Sequence, residues 1–295
     1  MEPSQETLEE LRRAIDDIDD AIHDLLMRRV EVAERIGAVK GDGAGPFLRP
    51  AREAEVLRRL AKRHSGAFPR RDLVRIWREI MSSLVRLQGP FSMAVFDHDG
   101  AGCLNLARDQ YGSHTPVTIC DAPSEAVRYV ASGEATVAVL PFPTEEDAEP
   151  WWPLLLAAEE NGPQIIARIP FSPDPGAAGD EPQALAIAMM IPEPTDDDRS
   201  IVVIETDDDI SRAKLNENFA AVGLNPLFSA ERAGTPGRRG WLNLVECEGF
   251  ILAEEERITL LVENLGEMVT AIHYLGAYAA PLGPDDMAPA SGERS

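Results

Sequence analysis

A single apolar seam through residues 8–40 constrains what this chain can fold into. Leu8, Leu11, Ile15, Ile18, Ile22 and Leu25 recur at steps of three and four, and Val32, Ile36 and Val39 carry the row on. That spacing predicts one long helix with a continuous stripe along one side. Position 29 also belongs to the seam, and it is an arginine. An arginine on a long helix ordinarily reaches past its neighbours to water. Here the row resumes beyond it, so the charge calls for a counter-charge, because an unpaired buried ion is costly.

Helix rise separates Arg29 and Lys40 by about 16 Å, so two long side chains could grip a small anion between them. Arg12 lies about 25 Å from Arg29, too far to share that anion within one straight helix. It is either a surface charge or a donor to a pocket on a second copy. Two shorter helices follow. One begins near Pro50 with Val56, Leu57 and Leu60 inward; the other is RRDLVRIWREIMSSLVRLQG, with Leu73, Ile76, Trp77, Ile80 and Leu84 on one face. Gln88 comes four residues after Leu84 and points the same way. Three helices so unequal in length cannot close a core alone. Pairing of the long helices between two copies is the economical solution.

Charge narrows the choice of ligand. The net charge is −23, yet 17 of the 28 basic residues lie in the first 90 positions, against 16 of the 51 acidic ones. The rest is strongly acidic, so nucleic acid and anionic membrane are unexpected partners, and cations for an anionic ligand must come from the first 90 residues. Cys103, Cys120 and Cys247 form no CxxC and leave an odd count, which fits a reducing cytoplasm rather than a disulfide framework or structural zinc. The opening MEPSQETLEE reads as neither a secretory signal nor a transit peptide. The expected location is cytoplasmic.

The stretches ELRRAIDDIDDAIHDLLMRRVEVAERIGAVK, LRPAREAEVL and WREIMSSLVRLQ resemble the all-helical (AroQ-class) chorismate mutases across residues 1–90. The resemblance implies an intertwined helical dimer in which each site borrows an arginine from the partner's long helix. By position, Arg29 and the Arg12 of a second copy would bind the two carboxylates of chorismate. Lys40 and Gln88 would donate to the breaking ether oxygen, and Glu53 would accept from the ring hydroxyl. Arg52 would add positive charge, and so would Arg49, which stands where some members have an acidic residue; Leu84 stands where some have serine. The rearrangement moves no proton and forms no covalent intermediate, so no cofactor or metal is implied. The work is positioning and electrostatic stabilisation.

Residues 91–197 alternate strand and helix patterns, from FSMAVFDHDG through CLNLARDQYG, PVTICDA, SEAVRYVASG, ATVAVLPF and PWWPLLLAAEENG to PQIIARIPF, with ALAIAMM as one more strand. This predicts a small α/β unit with a mainly parallel sheet. By order of elements it resembles a single periplasmic-binding-like lobe of prephenate dehydratase. The GPEGTFS-like turn, the Glu-Asn-Ser and the Thr-Arg-Phe triplet of that family are missing, so dehydratase activity is expected to be absent. Residues 173–182 read as a loop. Residues 198–282 read βαββαβ, a ferredoxin-like order, and resemble an ACT domain through WLNLVECEG and LGAY. Its effector signatures are replaced: Ile210, Ser211, Arg212 and Ala213 stand where that family has GALV-type residues, and Ala230, Glu231, Arg232 and Ala233 where it has Glu-Ser-Arg-Pro. Ile210, Ser211, Arg212, Ala213, Glu231 and Arg232 are therefore candidate contacts for an aromatic amino acid, with a dimerising module that binds no ligand as the equal alternative. Residues 283–295 read as a disordered tail.

The sequence therefore points to a chorismate mutase of aromatic amino acid synthesis. The alternatives are a bifunctional mutase–dehydratase and a regulatory scaffold with a vestigial mutase fold. An amide at position 88 donates a hydrogen bond at any ordinary pH, whereas a glutamate would first need a proton. Turnover of chorismate should accordingly show no acid optimum. A pH–rate profile that falls away above about pH 5, the region of a carboxyl pKa, would exclude Gln88 from the role.

Overall fold

The computed structural model of the chain describes residues 6–40, 47–97, 102–145, 147, 149–156, 162–173, 181–234, 240–252, 255–283 and 286, without the Lys40 side chain. Most of the 173–182 loop and of the 283–295 tail lies outside these residues.

Helix α1 runs Leu8–Lys40. A reciprocal cap starts it: Thr7 N donates to the Glu10 carboxylate at 2.8 Å, and Glu10 N donates to Thr7 Oγ1 at 3.3 Å. Helix α2, Pro50–Arg63, opens on a proline whose missing N–H costs nothing in a first turn. Helix α3 spans Arg70–Gln88. Its buried face differs from the expected one. Val74, Arg78, Met81, Leu84 and Val85 are buried, whereas Ile76 is 44% exposed. The cause is tertiary: α3 packs on a helix of the next unit, α4 (Cys103–Tyr111), which covers a second stripe.

The remaining elements are β1 (Met93–Phe96), β2 (Val117–Cys120), α5 (Pro123–Ala131), β3 (Val137–Pro141), α6 (Pro153–Leu156), β4 (Gln164–Ile169) and β5 (Ala184–Ala188). Then come β6 (Asp198–Thr206), α7 (Arg212–Ala221), β7 (Pro226–Ala233), β8 (Trp241–Glu248), α8 (Glu256–Leu265) and β9 (Val269–Ala279). The nine strands of the described residues form one sheet, in the order β2-β1-β3-β5-β4-β9-β6-β8-β7. The expected parallel character holds for β1 with β2 and β3, but β5 lies antiparallel between β3 and β4. The path from β4 to β5 carries no crossover helix among its described residues, and a strand returning through a loop comes back antiparallel.

The βαββαβ order is observed for β6 through β9, with α7 and α8 packed on one face. This unit is not independent of the α/β unit. Strand β9 joins β4 at Gly276 and Ile165, and the opposite face of β6 and β8 shares a core with Trp151 and Trp152. Gly276 is required at the joint: its φ is +140°, and a Cβ there would lie 2.2 Å from the Ile165 carbonyl oxygen.

A buried charge cluster crosses the same joint. Glu246 on β8 accepts from Arg168 Nη1 of β4 at 2.8 and 3.0 Å, from Arg199 Nη1 at 3.4 Å and from the Tyr278 hydroxyl. Arg168 also donates to Gln183 at 3.0 Å and lies 4.1 Å above the Phe142 ring. The helices dock on this body through Leu57, Val74 and Met81, which pack with Phe171 and Leu282. Arg58 of α2 adds hydrogen bonds to Thr195 at 2.9 Å and to the Ala280 carbonyl at 2.8 Å.

Removing one member of a buried ion cluster leaves the others unpaired. Glu246→Ala should destabilise the chain by about 3–5 kcal/mol in urea unfolding, more than an exposed-pair deletion such as Arg128→Ala.

Candidate active site

Helices α1, α2 and α3 enclose a cleft of about 720 Å³. Arg29 and Ile36 face it from α1, Arg52 and Glu53 from α2, and Trp77 and Gln88 from α3. The cleft is therefore walled by apolar side chains and carries cations on more than one side.

Arg29 is half-buried, and its Nη1 is buried without a hydrogen-bond partner among the described residues. Burial pushes its pKa below the ordinary guanidinium range, and Glu53 pulls it back. The group remains a cation with an open donor, a state that an entering anion would relieve. Glu53 is engaged from behind: Arg78 Nη1 donates to its Oε2 at 2.6 Å. Burial raises the Glu53 carboxyl pKa, while Arg78 first and Arg29 second draw it down. The other carboxylate oxygen has no hydrogen bond among the described residues.

Arg52 is exposed and paired with Glu55 at 2.7 Å. Arg49 also lines the cleft, but its guanidinium forks onto Glu193, with Nη2 donating at 2.8 and 2.9 Å and Nε at 3.2 Å. Gln88 Nε2 donates to Leu84 O at 3.0 Å, which uses one of its two N–H bonds. Arg29, Arg49, Arg52, Glu53 and Gln88 are thus brought to one cleft. Arg12 is not among its lining: it is exposed and sits 3.8 Å from Glu9 on its own helix. The Lys40 side chain lies outside the described residues.

Two cleft-associated residues escaped the sequence reading. Arg78 was hidden because the expected inward face of α3 lies beside it. Its signal was an arginine inside the stripe Val74, Met81, Val85, the same signature that singled out Arg29. Glu193 reaches Arg49 across 144 residues of chain, and nothing local announces it.

The candidate effector residues are less open than expected. Ile210 is buried, and Ser211 Oγ caps α7 by accepting from Lys214 N at 3.4 Å. Arg212 pairs with Glu145 of the α/β unit at 2.8 Å, and Arg232 donates to the Pro150 carbonyl at 3.3 Å. Ala213 and Glu231 are exposed. The two arginines therefore help hold the units together.

Residues 11–89 match the family described as chorismate mutase type II. This stretch is a type II chorismate mutase domain by that match. The bifunctional chorismate mutase/prephenate dehydratase of Pseudomonas aeruginosa is 32% identical over 142 residues, covering 46% of this chain and 39% of that protein. The protein of the same description from Neisseria gonorrhoeae is 32% identical over 140 residues, covering 46% and 38%. The chain thus spans about two fifths of the length of these curated relatives. Among solved structures, prephenate dehydratase from Arthrobacter aurescens in complex with L-Phe is similar at a TM-score of 0.47 and 16% identity, over 68% of this chain and 92% of that one. No helix among the described residues is long and apolar enough to cross a membrane.

Glu193 neutralises Arg49, one of the arginines that line the cleft. Glu193→Gln should tighten binding of small dicarboxylates about two- to fivefold at low salt, read by calorimetry. Unchanged affinity would show that Arg49 plays no part in anion capture.

Proposed function

We propose that the chain is a chorismate mutase, converting chorismate to prephenate in the cleft between α1, α2 and α3. The observation that carries this reading is the buried Nη1 of Arg29, without a hydrogen-bond partner among the described residues, on a cleft of about 720 Å³ within a type II chorismate mutase domain. A buried guanidinium nitrogen without an acceptor costs stability that a bound dianion returns.

In this reading Arg29 pairs with one carboxylate through its planar fork and holds the substrate in its compact reactive conformer. The ether C–O bond breaks as the new C–C bond forms. Negative charge grows on the ether oxygen and is met by the free N–H of Gln88 and by Lys40. The open oxygen of Glu53 accepts from the ring hydroxyl. Arg52 adds field at the entrance.

The second carboxylate needs a second arginine. Every residue from 6 to 25 is exposed, including Leu11, Ile15, Ile18 and Ile22 of the apolar seam. A helix with such a stripe and nothing against it is not stable alone. We assign a second copy of the chain to that stripe, which would carry its Arg12 to the first copy's Arg29. The βαββαβ unit enters as an ACT-type module by its element order, with phenylalanine or tyrosine as its ligand class; no change in melting temperature or mutase kinetics at millimolar amino acid would remove that role.

The names of the relatives favour a second reading, in which the chain also dehydrates prephenate. Appearance of phenylpyruvate absorbance from added prephenate would establish it. The missing Glu-Asn-Ser and Thr-Arg-Phe residues predict none.

Arg29→Ala should lower kcat/KM for chorismate by about a thousandfold or more, the scale of losing a preorganised charge contact. Arg12→Ala should be similarly impaired. Mixing the two inactive variants by co-refolding should restore about a quarter of the sites, because each mixed dimer regains one complete site. A monomer in sedimentation, or no recovery on mixing, would defeat the shared-site arrangement. Wild-type loss of scarcely any rate on Arg29→Ala would favour a scaffold with a vestigial fold.

A further inference from the structure

The wall behind Glu53 is not built by the mutase helices alone. Arg78 is not itself part of the cleft lining; it sits on α3 in one stripe with Met81 and Val85, which are, and is 5% exposed. Its Nη1 reaches forward to Glu53 Oε2 at 2.6 Å. On its other side stand residues of the α/β unit. The Gln110 amide stands against the guanidinium, and in the orientation that satisfies both groups its oxygen accepts from Arg78 Nη1 and Nη2 at 3.0 and 3.2 Å. The Phe171 ring lies 5.2 Å from the guanidinium carbon, in cation–π range. Tyr111 is buried beside the same pair, and its hydroxyl has no hydrogen-bond partner among the described residues.

Gln110 and Tyr111 belong to α4, and Phe171 follows β4, so all three lie outside the matched stretch 11–89. Were that stretch alone, this face of α3 would be open to water, and a guanidinium in water has little reason to hold one geometry. Burial by the α/β unit makes the Arg78–Glu53 bond both strong and directional. It also raises the cost of leaving either charge unpaired.

We propose that Arg78 is a positioning residue for the mutase reaction, and that the α/β unit sets the orientation of Glu53 through it. The inference rests on the chorismate mutase reading and adds a task for the α/β unit in that reaction. Arg78 holds one oxygen of Glu53, so that the other is presented to the substrate hydroxyl in a fixed direction. Gln110 and Phe171 hold Arg78. Glu53 is faced by Arg29 from α1, Arg78 from α3 and Tyr111 from α4. Of these, Arg78 gives the stronger cationic pull.

The test is a double-mutant cycle in the full chain, with chorismate turnover as readout and melting temperature as control. Arg78→Met should lower kcat/KM by about tenfold to a hundredfold, and Gln110→Leu by about three- to tenfold, as expected for loss of a charge-assisted and a neutral-acceptor hydrogen bond. Arg78→Lys should recover part of the loss, because the charge returns without the fork. In a Glu53→Gln background neither Arg78→Met nor Gln110→Leu should cost anything further. An equal loss in that background would show that the two residues act only through general stability, and full activity in either single variant would overturn the proposal outright. If Arg78→Met does not fold, Gln110→Leu carries the cycle by itself. A wild-type chain without turnover would instead overturn the mutase reading, and this inference with it.

Discussion

An ion drawn out of water must meet an opposite charge, and this chain meets that demand in three different ways. Glu246 is buried and satisfied from within the sheet, by Arg168, Arg199 and Tyr278. Glu53 is buried and satisfied across a unit boundary, by Arg78 and the α/β residues behind it. Arg29 is half-buried, and one of its nitrogens has no hydrogen-bond partner among the described residues. The first arrangement fixes the body of the molecule. The second joins that body to the cleft. The third leaves the cleft poised for an anion. Desolvation costs several kcal/mol per ion, so none of the three can be incidental to where the elements sit.

The sheet gives this sequence of charges its frame. Strands from two differently built units run through one surface, because Gly276 lets the β9 backbone approach Ile165 where a side chain would collide. Helices α2 and α3 then dock on that frame with Phe171 and Leu282 in their core, and Arg58 ties α2 to the turn before β6 and the end of β9. The mutase domain is consequently anchored along α2 and α3 while the first half of α1 stands clear. A stripe of aliphatic residues that water touches from Leu8 to Leu25 is the counterpart of the arginine nitrogen left without a partner among the described residues, and in the proposed dimer one partner helix would complete both.

The paired arginines elsewhere in the cleft show how a fold can reassign a residue. Arg49 looks like a cation for substrate when only the first 90 residues are considered. In the folded chain Glu193 has taken it, and its positive charge is cancelled. Arg212 and Arg232, candidates for an effector contact, are likewise engaged by the α/β unit. Local pattern cannot reveal such pairings, since the partners lie 144 residues apart in the first case and 82 in the last.

Periodicity alone determined the elements: the helices of residues 8–88, the alternating strands and helices that follow, and the βαββαβ order at the end. Period 3.6 and period 2 are properties of short windows, and turn residues such as the glycines and prolines between them act locally. Arg29 was legible for the same reason, as a charge interrupting a regular row. Only the tertiary structure decided that β5 returns antiparallel, that two units share one sheet, and that α3 buries a second face carrying Arg78. These depend on which surfaces meet, and the free energy of that meeting comes from residues far apart in the chain.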